Sequence, residues 1–217
     1  LLIILLRIKS NNITFGSDYQ HTMFIEPKNS KGWIEVICGS MFSGKTEELI
    51  RRVKRAKIAK QNVRIFKPKM ETRYDKVKVV SHDDNYVDSF PVDTSDEILR
   101  WVDDVQVVGI DEAQFFDEKL PEICNILANN NKRVVIAGLD MDFLAKPFGV
   151  MPQLMAMAEY VTKVHAICMQ CGSVAQYSYR FSKSGGQVQL GEKDQYEPRC
   201  RACYITGMEE QKEDTHK

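Results

Sequence analysis

The sequence predicts an α/β protein, a parallel sheet flanked by helices, followed by a small cysteine-rich lobe. Three observations lead there. Short β-branched runs alternate with segments of helical period over residues 33–137, a glycine-rich turn joins the first run to the first helix, and two Cys-x-x-Cys pairs occur only after residue 160. Strands that alternate with helices are joined by right-handed crossovers, so they lie parallel and carry helices on their faces.

Trp33 to Cys38 is apolar, β-branched and ends on Gly39, which is a buried strand running into a turn. From Thr46 to Lys60, Leu49, Ile50, Val53, Ala56 and Lys57 recur at helical spacing, with Glu47 and Glu48 near the positive end of the helix. Val63 to Phe66 is a second strand ended by Pro68. The polar stretch from there to Asp84 is a loop in which His82 reads as solvated. Thr94 or Ser95 caps a short helix through Trp101, and Val105 to Ile110 is a third strand ending in Asp111 and Glu112. A helix over about Glu118 to Ala128 leads into the strand Arg133 to Ala137. After residue 160 the helical period fades, and Gly185, Gly186 and Gly191 punctuate short extended runs.

The expected organisation is therefore an α/β domain over 33–160, a metal-binding lobe over 161–204 and a disordered tail over 205–217. Residues 1–32 are expected to be an extension, disordered or artefactual, since the chain opens without Met and the first clear strand follows Met23. Leu1 to Leu6 is too short to span a membrane and lacks the charged start and cleavage site of a leader. The 217 residues are 43% hydrophobic, enough for one sizeable core and a small appendage. Lys+Arg and Asp+Glu both number 30, a balance that disfavours nucleic acid as a partner.

Ligands of parallel sheets gather at the carboxyl ends of strands, where Gly39 and Asp111 both fall. Gly39, Ser40, Met41, Phe42, Ser43, Gly44, Lys45 and Thr46 match GxxxxGK[ST] in full, between a strand and a helix as that phosphate-binding loop requires. This makes the domain P-loop NTPase-like. Backbone N–H groups and the helix start cradle phosphates, Lys45 neutralises the outer ones, and the Thr46 hydroxyl ligates Mg²⁺ of bound ATP. Asp111 fits the second Mg²⁺ ligand, and Glu112, pointing to the other side of the extended chain, fits a general base. A chance turn and a helix-cap acid are the plain alternatives, and the two motifs together argue against both.

Cys168, Cys171, Cys200 and Cys203 describe a closed, structural Zn²⁺ site of four thiolates. Paired CxxC spacing without an export signal favours metal over disulfides, and a reducing, cytoplasmic compartment. Such a site fixes both ends of residues 172–199, whose length makes them a lasso-like loop able to close over a small ligand as a lid. Cys38 and Cys124 read as core thiols.

Two function classes remain at this point. A kinase would use Glu112 to activate a substrate hydroxyl; an ATP-driven motor or switch with a nucleic-acid-binding lobe would use it to activate water. The neutral charge and the lack of a basic stripe weigh against the second.

The strings GSMFSGKTEELIRR, KPKMETRY, GIDEAQFF and AGLDMDFLAKPFG, with the cysteine pairs, resemble in order and spacing the type II thymidine kinases over about residues 33 to 204. The resemblance implies transfer of the γ-phosphate of ATP to the 5′-hydroxyl of thymidine, in the salvage of pyrimidine deoxynucleosides for DNA synthesis. It implies Glu112 as base and Arg73 beside the transferred phosphate. It implies a nucleoside pocket of Met41, Phe115, Leu139, Phe143, Phe148, Ser178 and Tyr196, with backbone groups of Gln189, Leu190 and Gly191 reading the base. From the residues alone, Phe143 and Phe148 would be plain core. A homotetramer inhibited by thymidine triphosphate is likewise implied. Glu71 stands where relatives commonly have Asp, and Ser178 where some have Thr. A kinase for another nucleoside, such as deoxyuridine, is a third reading.

Overall fold

A computed structural model describes residues 31–69, 78–80, 86–182 and 195–213. The chain runs β1 (Trp33–Cys38), α1 (Lys45–Ile58), β2 (Val63–Pro68), β3 (Lys78–Val80), β4 (Tyr86–Val92), a 3₁₀ helix Ser95–Trp101 and β5 (Val107–Ile110). A short 3₁₀ helix Ala113–Phe115, α2 (Leu120–Asn129), β6 (Arg133–Gly138), α3 (Met151–Met157) and β7 (Tyr160–Lys163) complete the main domain. The lobe holds β8 (Ala166–Ile167), β9 (Val174–Ala175), β10 (Tyr177–Arg180), β11 (Tyr196–Arg199) and α4 (Arg201–Glu213).

Seven strands form one sheet in the order β3-β4-β2-β5-β6-β1-β7. The six from β4 to β7 are parallel, and β3 joins the edge antiparallel to β4. Side-chain alternation divides the core into two layers. Ile37, Ile65, Val107, Val135 and Ala137 face α1, where Leu49, Ile50, Val53 and Ala56 cover them. Val36, Cys38, Phe66, Val108, Ile110, Val134 and Ile136 face the other side, covered by Ile98, by Leu120, Ile123, Cys124 and Leu127 of α2, and by Met151 and Leu154 of α3. As expected, Cys38 and Cys124 are buried thiols, and burial pushes Cys38 up to about 11.

Glu35 is fully buried in the α1 layer. Its carboxylate accepts from Arg52 Nη1 at 2.8 Å, Arg133 Nε at 2.7 Å and Trp33 Nε1 at 2.7 Å. Burial would raise its pKa, but the Arg133, Trp33 and Arg52 donors outweigh burial and hold it below the ordinary range.

Four expectations need correction. The loop expected up to Asp84 contains β3, whose three residues carry too little pattern to read and owe their extended form to pairing with β4. β7 pairs with β1, so the α/β domain runs past 160 to Lys163. Pro68 lies within β2 rather than beyond it. The tail expected from 205 is instead helical to Glu213: Tyr204 stacks on Tyr177 at 4.6 Å, Tyr179 Oη donates to Gly207 O at 3.1 Å, and Gln211 Nε2 donates to Arg180 O at 2.8 Å. Those contacts to β10 order a segment whose own sequence shows no strong helical face.

Candidate active site

Gly39 follows β1 with φ 147°, and a Cβ there would meet Val164 O at 2.2 Å, so the loop turns only because this residue has no side chain. Phe42 also takes a left-handed conformation, and Gly44, left-handed as well, opens α1. Ser43 Oγ and Lys45 Nζ both donate to Ser40 O, at 2.7 and 2.6 Å. This folds Lys45 back over its own loop. Burial pulls the Lys45 ammonium below its usual range, against the opposing pull of Glu112, Asp111 and Asp140.

Asp111 and Glu112 follow β5 at the same sheet edge. Asp111 is buried, and both its carboxylate oxygens lie 3.4 Å from Thr46 Oγ1. That separation slightly exceeds the roughly 3 Å between adjacent oxygen ligands on an octahedral Mg²⁺, so the pair fits the ion. Burial, and then the neighbouring Glu112 charge, push Asp111 up to about 7, against the Glu112 N–H, Lys45 and Thr46. Glu112 is exposed, with φ 53° and ψ 41°. Glu112 thus leaves β5 in a left-handed turn and not in the extended chain expected; a non-glycine residue held there stores about 1 to 3 kcal/mol.

Of the expected nucleoside wall, Phe115 and Phe148 meet edge to face at 5.6 Å. Met41 N–H, in the phosphate loop, donates to Ser178 Oγ in β10 at 3.0 Å, which ties the lobe to the loop. Tyr196 on β11 pairs with Arg180 on β10. Arg180 Cζ lies over the Phe143 ring, 3.5 Å from the ring centroid, and the Phe143 carbonyl accepts from Tyr204 Oη at 2.8 Å. Arg73, Gln189, Leu190 and Gly191, together with Glu71 and His82, lie outside the described residues.

The Sγ atoms of Cys168, Cys171, Cys200 and Cys203 all lie within 4.8 Å of one another, with Cys171 and Cys200 at 3.6 Å. Four thiolates on a tetrahedral Zn²⁺ stand about 3.8 Å apart, so the cluster is compatible with zinc. The Ser173 hydroxyl and amide pull Cys171 down to about 6, while the Cys200 and Cys171 thiols push Cys203 up to about 12. Crowded thiols resist ionising together, and a divalent cation is what allows it. Residues 177–181 and 195–199, which flank the residues left undescribed, are joined by the β10–β11 ladder and by Phe181 N–H donating to Gln195 O.

Sequence reasoning passed over two buried polar residues at this edge. Asp140 accepts from Lys163 Nζ at 2.7 Å through Oδ2, while its Oδ1 has no hydrogen-bond partner among the described residues. Gln114 touches Glu112 and Leu139. An acid and an amide beside the phosphate loop and the acidic pair were the available signal.

A family model described as thymidine kinase matches residues 32–204. A thymidine kinase of Bacteroides fragilis (strain YCH46) is 59% identical over 201 residues, 93% of this chain and 98% of the relative. A thymidine kinase of Rhodothermus sp. (strain ITI 518) is 59% identical over 81% of this chain and 82% of its own length. One from Porphyromonas gingivalis (strain W83) is 61% identical over 80% of this chain and 85% of its own.

Proposed function

The chain belongs to the thymidine kinase family, and from that premise we propose that it transfers the γ-phosphoryl group of ATP to the 5′-hydroxyl of thymidine, giving thymidine monophosphate and ADP. The observation that supports the reading is the Met41–Ser178 hydrogen bond, which joins two residues of the expected nucleoside wall, one of them in the phosphate loop itself.

ATP lies along residues 39–46, with backbone N–H groups and Lys45 on its phosphates. Thr46 and Asp111 would hold Mg²⁺, which supplies charge neutralisation on the phosphates when bound. Thymidine enters between Met41, Phe115, Leu139, Phe143, Phe148, Ser178 and Tyr196, its base read by Gln189 to Gly191. Glu112 accepts the 5′-hydroxyl proton as that oxygen bonds to the γ-phosphorus and the bond to the ADP oxygen breaks. Lys45 and Arg73 neutralise the charge that develops. The lobe excludes water, which suppresses hydrolysis. The four cysteines would hold Zn²⁺ structurally, since four thiolates leave no open position. A homotetramer inhibited by thymidine triphosphate, acting in the cytoplasm, follows from the resemblance and from the cysteine chemistry. No described helix is long and apolar enough to cross a membrane.

The test is ADP release from Mg-ATP with thymidine, with other nucleosides and with single-stranded DNA. Thymidine-dependent ADP and thymidine monophosphate are expected; a rate raised by DNA and indifferent to thymidine would replace the kinase with a motor. Glu112→Gln should keep nucleotide binding and lower kcat about a hundredfold or more, and near-normal turnover would remove Glu112 from the role of base.

A further inference from the structure

Gln114 stands between the expected base and the expected nucleoside pocket. It is buried at the first turn after β5, and both ends of its amide are used. Leu139 N–H donates to Oε1 at 2.9 Å, and Nε2 donates to Glu112 Oε2 at 2.5 Å. The first bond fixes the second: an acceptor must face the Leu139 N–H, so the amide nitrogen must face the carboxylate.

The surroundings hold Gln114 from two further sides. A Cβ on Gly138 would meet Gln114 Oε1 at 2.9 Å and Met151 Sδ at 2.6 Å, and one on Gly149 would meet Gln114 O at 2.4 Å. The chain thus keeps two positions without side chains around one glutamine. Glu112, by contrast, is exposed, in a left-handed backbone conformation, and Gln114 is the side chain that grips its carboxylate. A bond through Oε2 leaves Oε1 to receive a proton.

We propose that Gln114 is a positioning residue for the phosphoryl transfer, holding the Glu112 carboxylate at a fixed place relative to the Leu139 wall so that it meets the 5′-hydroxyl of the bound nucleoside. The proposal rests on the reading of Glu112 as base. Because one amide links base and wall, the distance between the proton acceptor and the seated nucleoside is set by a single rigid group, independently of the phosphate loop. Loss of that link acts on turnover and leaves nucleotide binding alone, since a carboxylate displaced by about 1 Å costs on the order of a hundredfold in rate.

Two variants test this in the full chain. Gln114→Met removes both bonds at similar volume. Gln114→Glu keeps the acceptor for Leu139 N–H and places an oxygen where the amide nitrogen donates to Glu112. Both are expected to lower kcat by about ten- to a hundredfold, with KM for ATP within about twofold. In a Glu112→Gln background, where the carboxylate is already gone, neither should lower kcat further. Equal losses in both backgrounds, or a loss under about threefold from Gln114→Glu, would overturn the proposal. So would a Gln114→Glu chain that does not fold, because the amide would then belong to the scaffold. Full activity of Glu112→Gln alone is a different outcome: it would remove the base reading itself, and the positioning role with it.

Discussion

Glu35 in the middle of β1 and Asp111 just past β5 are both buried carboxylates of one sheet, yet their surroundings push them in opposite directions. Glu35 meets two guanidinium groups and an indole N–H, and its pKa falls below the ordinary value. Among the described residues Asp111 has a hydroxyl at 3.4 Å, a backbone N–H and a more distant ammonium, with a second carboxylate beside it, and its pKa climbs to about 7. A buried charge settled by partners inside the protein belongs to the scaffold. One left under-compensated at a sheet's carboxyl edge is suited to a cation from outside.

The largest effect that would sharpen this contrast comes from Glu35→Ala. Arg52 and Arg133 would lose their buried counter-charge, and the chain should lose about 3 to 5 kcal/mol in urea melts while its affinity for ADP stays unchanged. A loss under about 1 kcal/mol would break the contrast, by showing that water or rearrangement compensates the arginines.

A smaller effect should appear in the pH dependence of stability without added Mg²⁺. Asp111 has an ordinary value of 3.8 and a folded value of about 7, so between them the folded chain keeps a proton that the unfolded chain has released. Its contribution therefore falls as pH rises from about 4 to about 7, by at most about 1.4 kcal/mol per unit, and is level above that. Glu35 acts in the opposite sense: its contribution is whole above its ordinary 4.5 and is lost as pH falls through the lower folded value. Asp111→Asn should remove the falling component of the slope between about pH 5 and 7, and saturating Mg-ADP should do the same in the unaltered chain. A slope that survives the substitution would belong to another group.

Smallest of all, Lys119→Ala removes an ion pair to Asp96 between two exposed side chains and should leave the melting temperature unchanged within error. A clear shift would show that surface charge matters here as much as the buried network does.

The phosphate loop was legible because its chemistry is local: glycines, a lysine and a threonine at fixed spacing between a strand and a helix. The two layers of the main domain were legible for the same reason, as Leu49, Ile50, Val53 and Ala56 carry the helical period by themselves. β3, β7 and α4 were not, because what orders them comes from elsewhere in the chain: β4, β1, and the tyrosines and carbonyls of β10. The left-handed turn at Glu112 was not legible either, since such a residue leaves no mark on side-chain alternation. Gln114 was marked in the string DEAQ only by its place beside the acidic pair; its contact with a peptide N–H at Leu139, on a different strand's end, lies outside the string.

The cysteine cluster has a consequence in time. Cys168 and Cys171 follow every strand of the seven-stranded sheet, and Cys200 and Cys203 follow β10 and β11. A chain made from its N-terminus can therefore complete that sheet before the second pair of cysteines, which gathers the lobe, exists. The lobe matures last, and if its four thiols hold zinc as proposed, a chain made where zinc is scarce would carry a finished sheet beside an unsettled lobe.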